Sequence, residues 1–247
     1  LHHRPIDPTP DTLSYFTVWL SHHIEPRSVD NYLSGIANRL EFMFPDVRVA
    51  RRSPLVTRTL QGCKRRLSKP VRQKIPLGLD DLARIVDVVQ HDNDCRYDNT
   101  LFLAMLLTGF KTLQRLGEMT WPDATKLQSY KKVALRHTLS STTTCASYML
   151  PYQKNDSLRQ GCKILIQAEP HSTIDPLVHM LRYLDARDST FLHHPALWVT
   201  STGIIPTRSW FLRRLHHFGG SAFSGHSMRA GGATALAAAG MSLDLIQ

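Results

Sequence analysis

At 247 residues, 42% of them hydrophobic, the chain is long enough for one large domain or two modest ones. Its longest apolar run, Leu101–Leu107, falls well short of the roughly 18 residues a membrane span needs, and the N-terminus is polar and proline-rich, so neither a membrane segment nor a secretory leader is expected. The net charge of +10 is lopsided: ten of the 30 Lys/Arg lie between Val47 and Lys74 with no acid among them, which points to a polyanionic partner. A solvated basic linker, or a targeting signal around Lys64-Arg65-Arg66, is the alternative source of that charge.

In chain order, the first stretch reads as helical. Asp11 is a candidate cap for a helix carrying Leu13, Phe16 and Leu20, and Ser28 for one with the stripe Val29, Tyr32, Leu33, Ile36 and Leu40. A third helix from Pro54 carries Leu55, Thr59, Leu60, Cys63 and Leu67 on one side and Arg58, Lys64, Arg65 and Arg66 on the other. One side can pack while the other meets phosphates. The basic residues Arg51, Arg52, Arg58, Lys64, Arg65, Arg66, Lys69 and Lys74 are therefore the candidate polyanion contacts. A proline-punctuated linker follows at 71–77, between a helical domain over 1–70 and a second domain over 78–247.

That second domain opens on a helix begun by Asp80 or Asp81, with Leu82, Ile85, Val86 and Val89 along one face. Asn99–Leu107 is apolar all round and belongs in a core, and Thr112–Met119 reads as a short helix stopped before Pro122. Strand-like runs then appear at Val133–Leu139, Cys145–Leu150 and Cys162–Gln167. Helices return at Asp175-Pro176, at Thr207, and from about His226 to Ala239, closed by Gly240. The fold class expected is mainly α with a small antiparallel β-sheet.

Four cysteines, Cys63, Cys95, Cys145 and Cys162, lie far apart without a CxxC spacing. This argues against a disulfide framework and a cysteine-bound zinc, and for a reducing compartment. The histidine doublets His22-His23 and His216-His217 point to different faces, so they do not read as chelating pairs. No metal or other cofactor is expected.

Three pieces carry chemistry: LQRLGEMTW with Arg115 and Glu118, LPYQKNDSLRQGCKI with Lys154, and SGHSMRAGGATALAAAG with His226 and Arg229. Their order resembles the signature of the tyrosine recombinase (phage integrase) family: an arginine followed three residues later by an acid, a hairpin lysine, then HxxR on a helix. The closest likeness is to recombinase-like domains of fungal and other eukaryotic mobile elements, and SVDNYLSGI and GCKRRL look like that group's helical core-binding domain. The resemblance spans nearly the whole chain. A second HxxR, His179 to Arg182, reads as an ordinary amphipathic helix pair, and Lys163 is a rival to Lys154.

The resemblance implies a core-binding domain followed by a catalytic domain, DNA strand breakage and rejoining, a nuclear location, and duplex DNA as partner, with further copies of the chain as candidate neighbours on it. Arg115 and Arg229 would hold the non-bridging oxygens of a phosphorane-like state, to which guanidinium forks are suited in shape and charge. His226, on the same helix face as Arg229, would assist in proton transfer and phosphate binding, Lys154 would protonate the leaving 5′ oxygen, and Glu118 would orient Arg115.

The sequence also departs from the family. There a further histidine or tryptophan and then the nucleophilic tyrosine follow HxxR; here Gln247 comes eighteen residues after Arg229. The seven tyrosines, Tyr15, Tyr32, Tyr97, Tyr130, Tyr148, Tyr152 and Tyr183, all precede His226. The first residue, Leu1, is not methionine. The expectation is a truncated polypeptide that binds DNA without cleaving it. The alternative is a non-catalytic DNA-binding domain derived from such a recombinase. A metal-dependent nuclease would need converging carboxylates, and the acids here are scattered.

Overall fold

The computed structural model describes residues 7–70, 74–152 and 160–242. The chain divides into two compact units, Leu1–Arg72 and Gln73–Gln247.

The first unit packs four helices: α1 (Pro10–His23), α2 (Pro26–Leu40), α3 (Val47–Arg52) and α4 (Pro54–Leu67). Leu13, Leu20, Val29, Leu33, Val56 and Leu60 form its core. Three of the helices start on a proline, whose missing N–H costs nothing at a helix start. The caps shift upstream of those expected, because a proline at the first helical position puts the cap one residue before it. Thr9 rather than Asp11 caps α1, Glu25 rather than Ser28 stands at the start of α2, and the Ser53 hydroxyl accepts from the Val56 N–H on α4. The short α3 has too few periodic positions to read from sequence.

The second unit runs α5 (Leu79–His91), α6 (Arg96–Lys111), α7 (Leu116–Met119), the strands β1 (Ser140–Ser141), β2 (Cys145–Leu150) and β3 (Cys162–Gln167), then α8 (Pro176–Phe191), α9 (Arg208–Gly219) and α10 (Gly225–Ala238). The sheet is antiparallel in the order β1-β2-β3, with Ala146 opposite Ile166 and Leu150 opposite Cys162. The fold is thus mainly helical with one small antiparallel sheet. The helix α6, apolar from Leu101 to Leu107, is its axis, buried from Leu101 to Phe110 and packed along α8.

The first expected strand is displaced. Val133–Leu139 contains a 3₁₀ turn at Arg136–Thr138, and β1 begins only at Ser140. The backbone groups needed for a strand are used elsewhere: Leu197 N–H donates to Ala134 O and Arg136 N–H to Pro195 O. The Arg136 guanidinium is held by Asp188 at 2.6 Å. Behind it the fully buried Arg187 donates to the carbonyls of Phe191, Ala196 and Leu197 at 2.7–3.2 Å, to that of His194, and to Asp188. One arginine therefore supplies the donors for a turn that would otherwise bury bare carbonyls.

Candidate functional site

Arg115 owes its position to the way α6 ends. Leu113 adopts φ 55°, the left-handed conformation that usually takes glycine, and Gln114 N–H closes back on Gly109 O at 3.1 Å. The chain reverses there, so Arg115 is extended and stands before α7 rather than within it. The buried Gln114 accepts from the Tyr148 hydroxyl of β2 at 2.6 Å, which ties this corner to the sheet. Glu118 then takes hold of Arg115 twice: Oε2 accepts its backbone N–H at 2.8 Å and Oε1 accepts Nη1 at 3.2 Å. The carboxylate is 8% exposed and the arginine side chain 34%, so the guanidinium is clamped on one edge and open on the other.

His226 and Arg229 stand on α10, three residues apart and on one side of it; His226 is exposed and Arg229 half-buried. Ser224 caps the helix through its hydroxyl, which accepts from the His226 N–H at 3.3 Å. The opposite side is built for close approach. A Cβ on Gly225 would lie 2.8 Å from Leu116 Cδ2, and one on Gly109 would strike Met228 and Met119. Side chains on Gly231 and Gly232 would fall on the carbonyls of Leu77 and Phe110. Leu77 N–H donates to Ser227 O at 3.0 Å and Lys74 Nζ to Ser221 O at 2.7 Å, laying the segment before α5 along the start of α10. The contact between Leu116 and Gly225 brings together the starts of α7 and α10, and with them the neighbours of Arg115 and His226 in sequence.

Lys154 lies outside the described residues. Lys163 is on the exposed side of β3, opposite Met149. His179 is buried, with Nε2 3.2 Å from Thr173 O, and burial lowers its pKa below the usual histidine value, while Arg182 of the same HxxR is exposed. Tyr148 and Tyr183 are buried and hydrogen-bonded, and burial raises both phenol pKa values.

In the first unit Arg58 and Arg65 share the side of α4 opposite Val56, Leu60 and Cys63 and are exposed, as are Arg52, Arg66 and Lys69. Lys64 is half-buried on the flank. Arg51 is used internally, bonded to Asp30 Oδ1 at 3.0 Å and Ser34 Oγ at 2.7 Å.

One cation at this end of the second unit is absent from the sequence reading. Lys132 lies 5.0 Å above the Tyr152 ring and borders the same cleft as Glu118. The signal was available: from Ala124 to Asn155 the chain carries five Lys/Arg and no acid. Among the described residues no group of His, Cys, Asp and Glu is placed to hold a metal ion, and no helix is long and apolar enough to cross a membrane.

No protein-family model matches the sequence, and no curated protein is significantly similar to it. Solved structures are similar in fold. The Tn1549 transposon integrase in complex with transposon right end DNA superposes with a TM-score of 0.61 at 15% identity, over 99% of this chain and 78% of that one. The same integrase with circular intermediate DNA gives 0.56 at 14% identity, with the same coverage. The XerH site-specific recombinase bound to difH substrate gives 0.50 at 12% identity, over 91% of this chain; the chain spans 63% of that recombinase. The architecture is that of the tyrosine recombinases and integrases.

Proposed function

We propose that this protein binds duplex DNA and holds one phosphodiester between Arg115, His226 and Arg229, as a tyrosine recombinase does at the strand it exchanges. The contact of Leu116 with Gly225 carries this reading, because it joins two motifs separated by more than a hundred residues in a fold shared with DNA-bound recombinases. Glu118 neutralises one edge of Arg115 and leaves the other edge to a ligand oxygen. Two guanidinium groups with an imidazole suit the charge that develops on the oxygens of a phosphoryl centre.

Strand cleavage needs an attacking hydroxyl at that phosphate. The tyrosines among these 247 residues all precede His226, so what this reading assigns to residues 1–247 is the grip on the phosphodiester and not the attack on it. The exposed side of α4 supplies the second set of phosphate contacts, and a non-catalytic DNA-binding role shares every feature named here.

The experiment is duplex binding by fluorescence anisotropy across a salt series, with parallel incubation on a nicked suicide duplex. Contact with about six phosphates predicts a loss of affinity on the order of a thousandfold between ~50 and ~200 mM salt. Arg115→Ala and Arg229→Ala should each weaken binding, and no covalent protein–DNA product should form with or without magnesium. Unchanged affinity in both variants would remove these residues from the interface.

A further inference from the structure

We infer that Lys132 is an additional phosphate ligand of the Arg115 site, held in place by Tyr152. This inference rests on the DNA reading above and names a residue that reading does not require.

Lys132 ends the 3₁₀ turn Tyr130–Lys132 and precedes the buried Val133, so its backbone is fixed while its side chain reaches solvent. Among the described residues no carboxylate pairs with it. Its ammonium lies instead over the ring of Tyr152, 5.0 Å from the centroid, just past the end of β2. A cation on an aromatic face keeps its full charge and its N–H donors; the ring orients it at little cost in hydration. Lys132 also borders the same narrow cleft as Glu118. Both oxygens of that carboxylate are already hydrogen-bonded by Arg115, and no ion pair joins it to Lys132.

The acid that clamps Arg115 therefore shares a cleft with a lysine that has no carboxylate partner of its own among the described residues. Arg115 and Lys132 set two positive charges against the single carboxylate of Glu118, and a phosphodiester carries the one negative charge that would balance them. The other lysines of this segment differ: Lys126 and Lys131 are exposed and have no partner among the described residues to orient them.

The test uses the full chain and a 30-bp duplex of arbitrary sequence, with affinity measured across salt for wild type, Lys132→Ala, Lys132→Arg, Arg115→Ala and the Lys132→Ala/Arg115→Ala double variant. Lys132→Ala should weaken binding and reduce the slope of log affinity against log salt by about 0.9, with Lys132→Arg restoring most of both. Because the two side chains address one phosphate, the double variant should lose less than the product of the single losses. A spectroscopic signature accompanies this. In protein whose lysines are ¹³C-dimethylated, which keeps their charge, the Lys132 methyl signal should be shifted upfield by the Tyr152 ring and move when duplex is added. Independent, multiplicative losses, or a Lys132 signal that ignores saturating duplex, would overturn the inference while leaving DNA binding intact. Failure of the wild type to bind duplex would overturn both.

Discussion

Gly231 shows how a single hydrogen atom can matter. The Leu77 backbone crosses α10 there, bonded to Ser227 O at 3.0 Å, and a Cβ would fall on its carbonyl. The blocking atoms are backbone, so they cannot swing aside as a side chain would. Gly231→Ala should therefore destabilise the second unit by about 2–3 kcal/mol or more, read as a lower midpoint in chemical denaturation. Gly35, which has no neighbour within 4 Å of its missing Cβ, is the control: Gly35→Ala should be neutral or slightly stabilising. Leu113 is the other constrained residue, its φ of 55° being tolerable for leucine and poor for a β-branched side chain. Leu113→Val should cost about 1–2 kcal/mol by the same measurement, and Leu113→Gly less, since glycine accepts that conformation freely.

Between residues and the whole lies the turn that follows α8, where a buried arginine does what a sheet would do elsewhere. Removing Arg187 would leave several carbonyls and Asp188 without their donor, so Arg187→Met should cost about 3–5 kcal/mol although it inserts an apolar side chain of similar length. The same region gives the unit a pH dependence. Burial lowers the pKa of His179 at the start of α8, and burial with the nearby Arg187 charge lowers that of His194, whose Nδ1 accepts the Ala196 N–H at 3.2 Å. Both rings favour the neutral form when folded. Their contribution to stability is thus present above the unfolded value of about 6.5 and is lost as pH falls through the lower folded values. Thermal midpoints of the second unit should decline from about pH 6.5 downward, and His179→Gln, which keeps a donor for Thr173 O, should flatten the decline. A midpoint unchanged between pH 7 and 5 would show that these rings are free to protonate in place.

At the scale of the molecule, two cores imply two cooperative transitions. The six-residue core of the first unit, Leu13 to Leu60, shares no member with the core built around α6. Calorimetry should resolve two transitions, and Val29→Ala should lower one of them alone, by the roughly 1–3 kcal/mol that loss of a small buried side chain costs. One concerted transition that shifts as a whole would make the units a single folding body.

Much of this organisation is legible in residue order. The stripes Val29, Leu33 and Leu82, Ile85, Val86, Val89 mark buried helix faces because a helix repeats every 3.6 residues, and the all-apolar Leu101–Leu107 marks the axis because no face of it tolerates water. The residue types of the candidate site, an Arg with an acid three positions on and a His three before an Arg, are equally plain in the sequence. Contacts between distant segments are not. Nothing local predicts that the Arg136 guanidinium is taken by Asp188, or the Ala134 carbonyl and the Arg136 N–H by the 195–197 segment, which is why Val133–Leu139 reads as a strand and is not one. Nor does periodicity reveal that Leu116 rests on Gly225, or that Lys132 lies over Tyr152. The sequence by itself determined which residues must leave water and which charges are available, because hydrophobicity and charge belong to single side chains. Only the tertiary structure decided which of those charges are spent on one another and which remain for a partner, because pairing depends on where the packed helices bring chain-distant groups together.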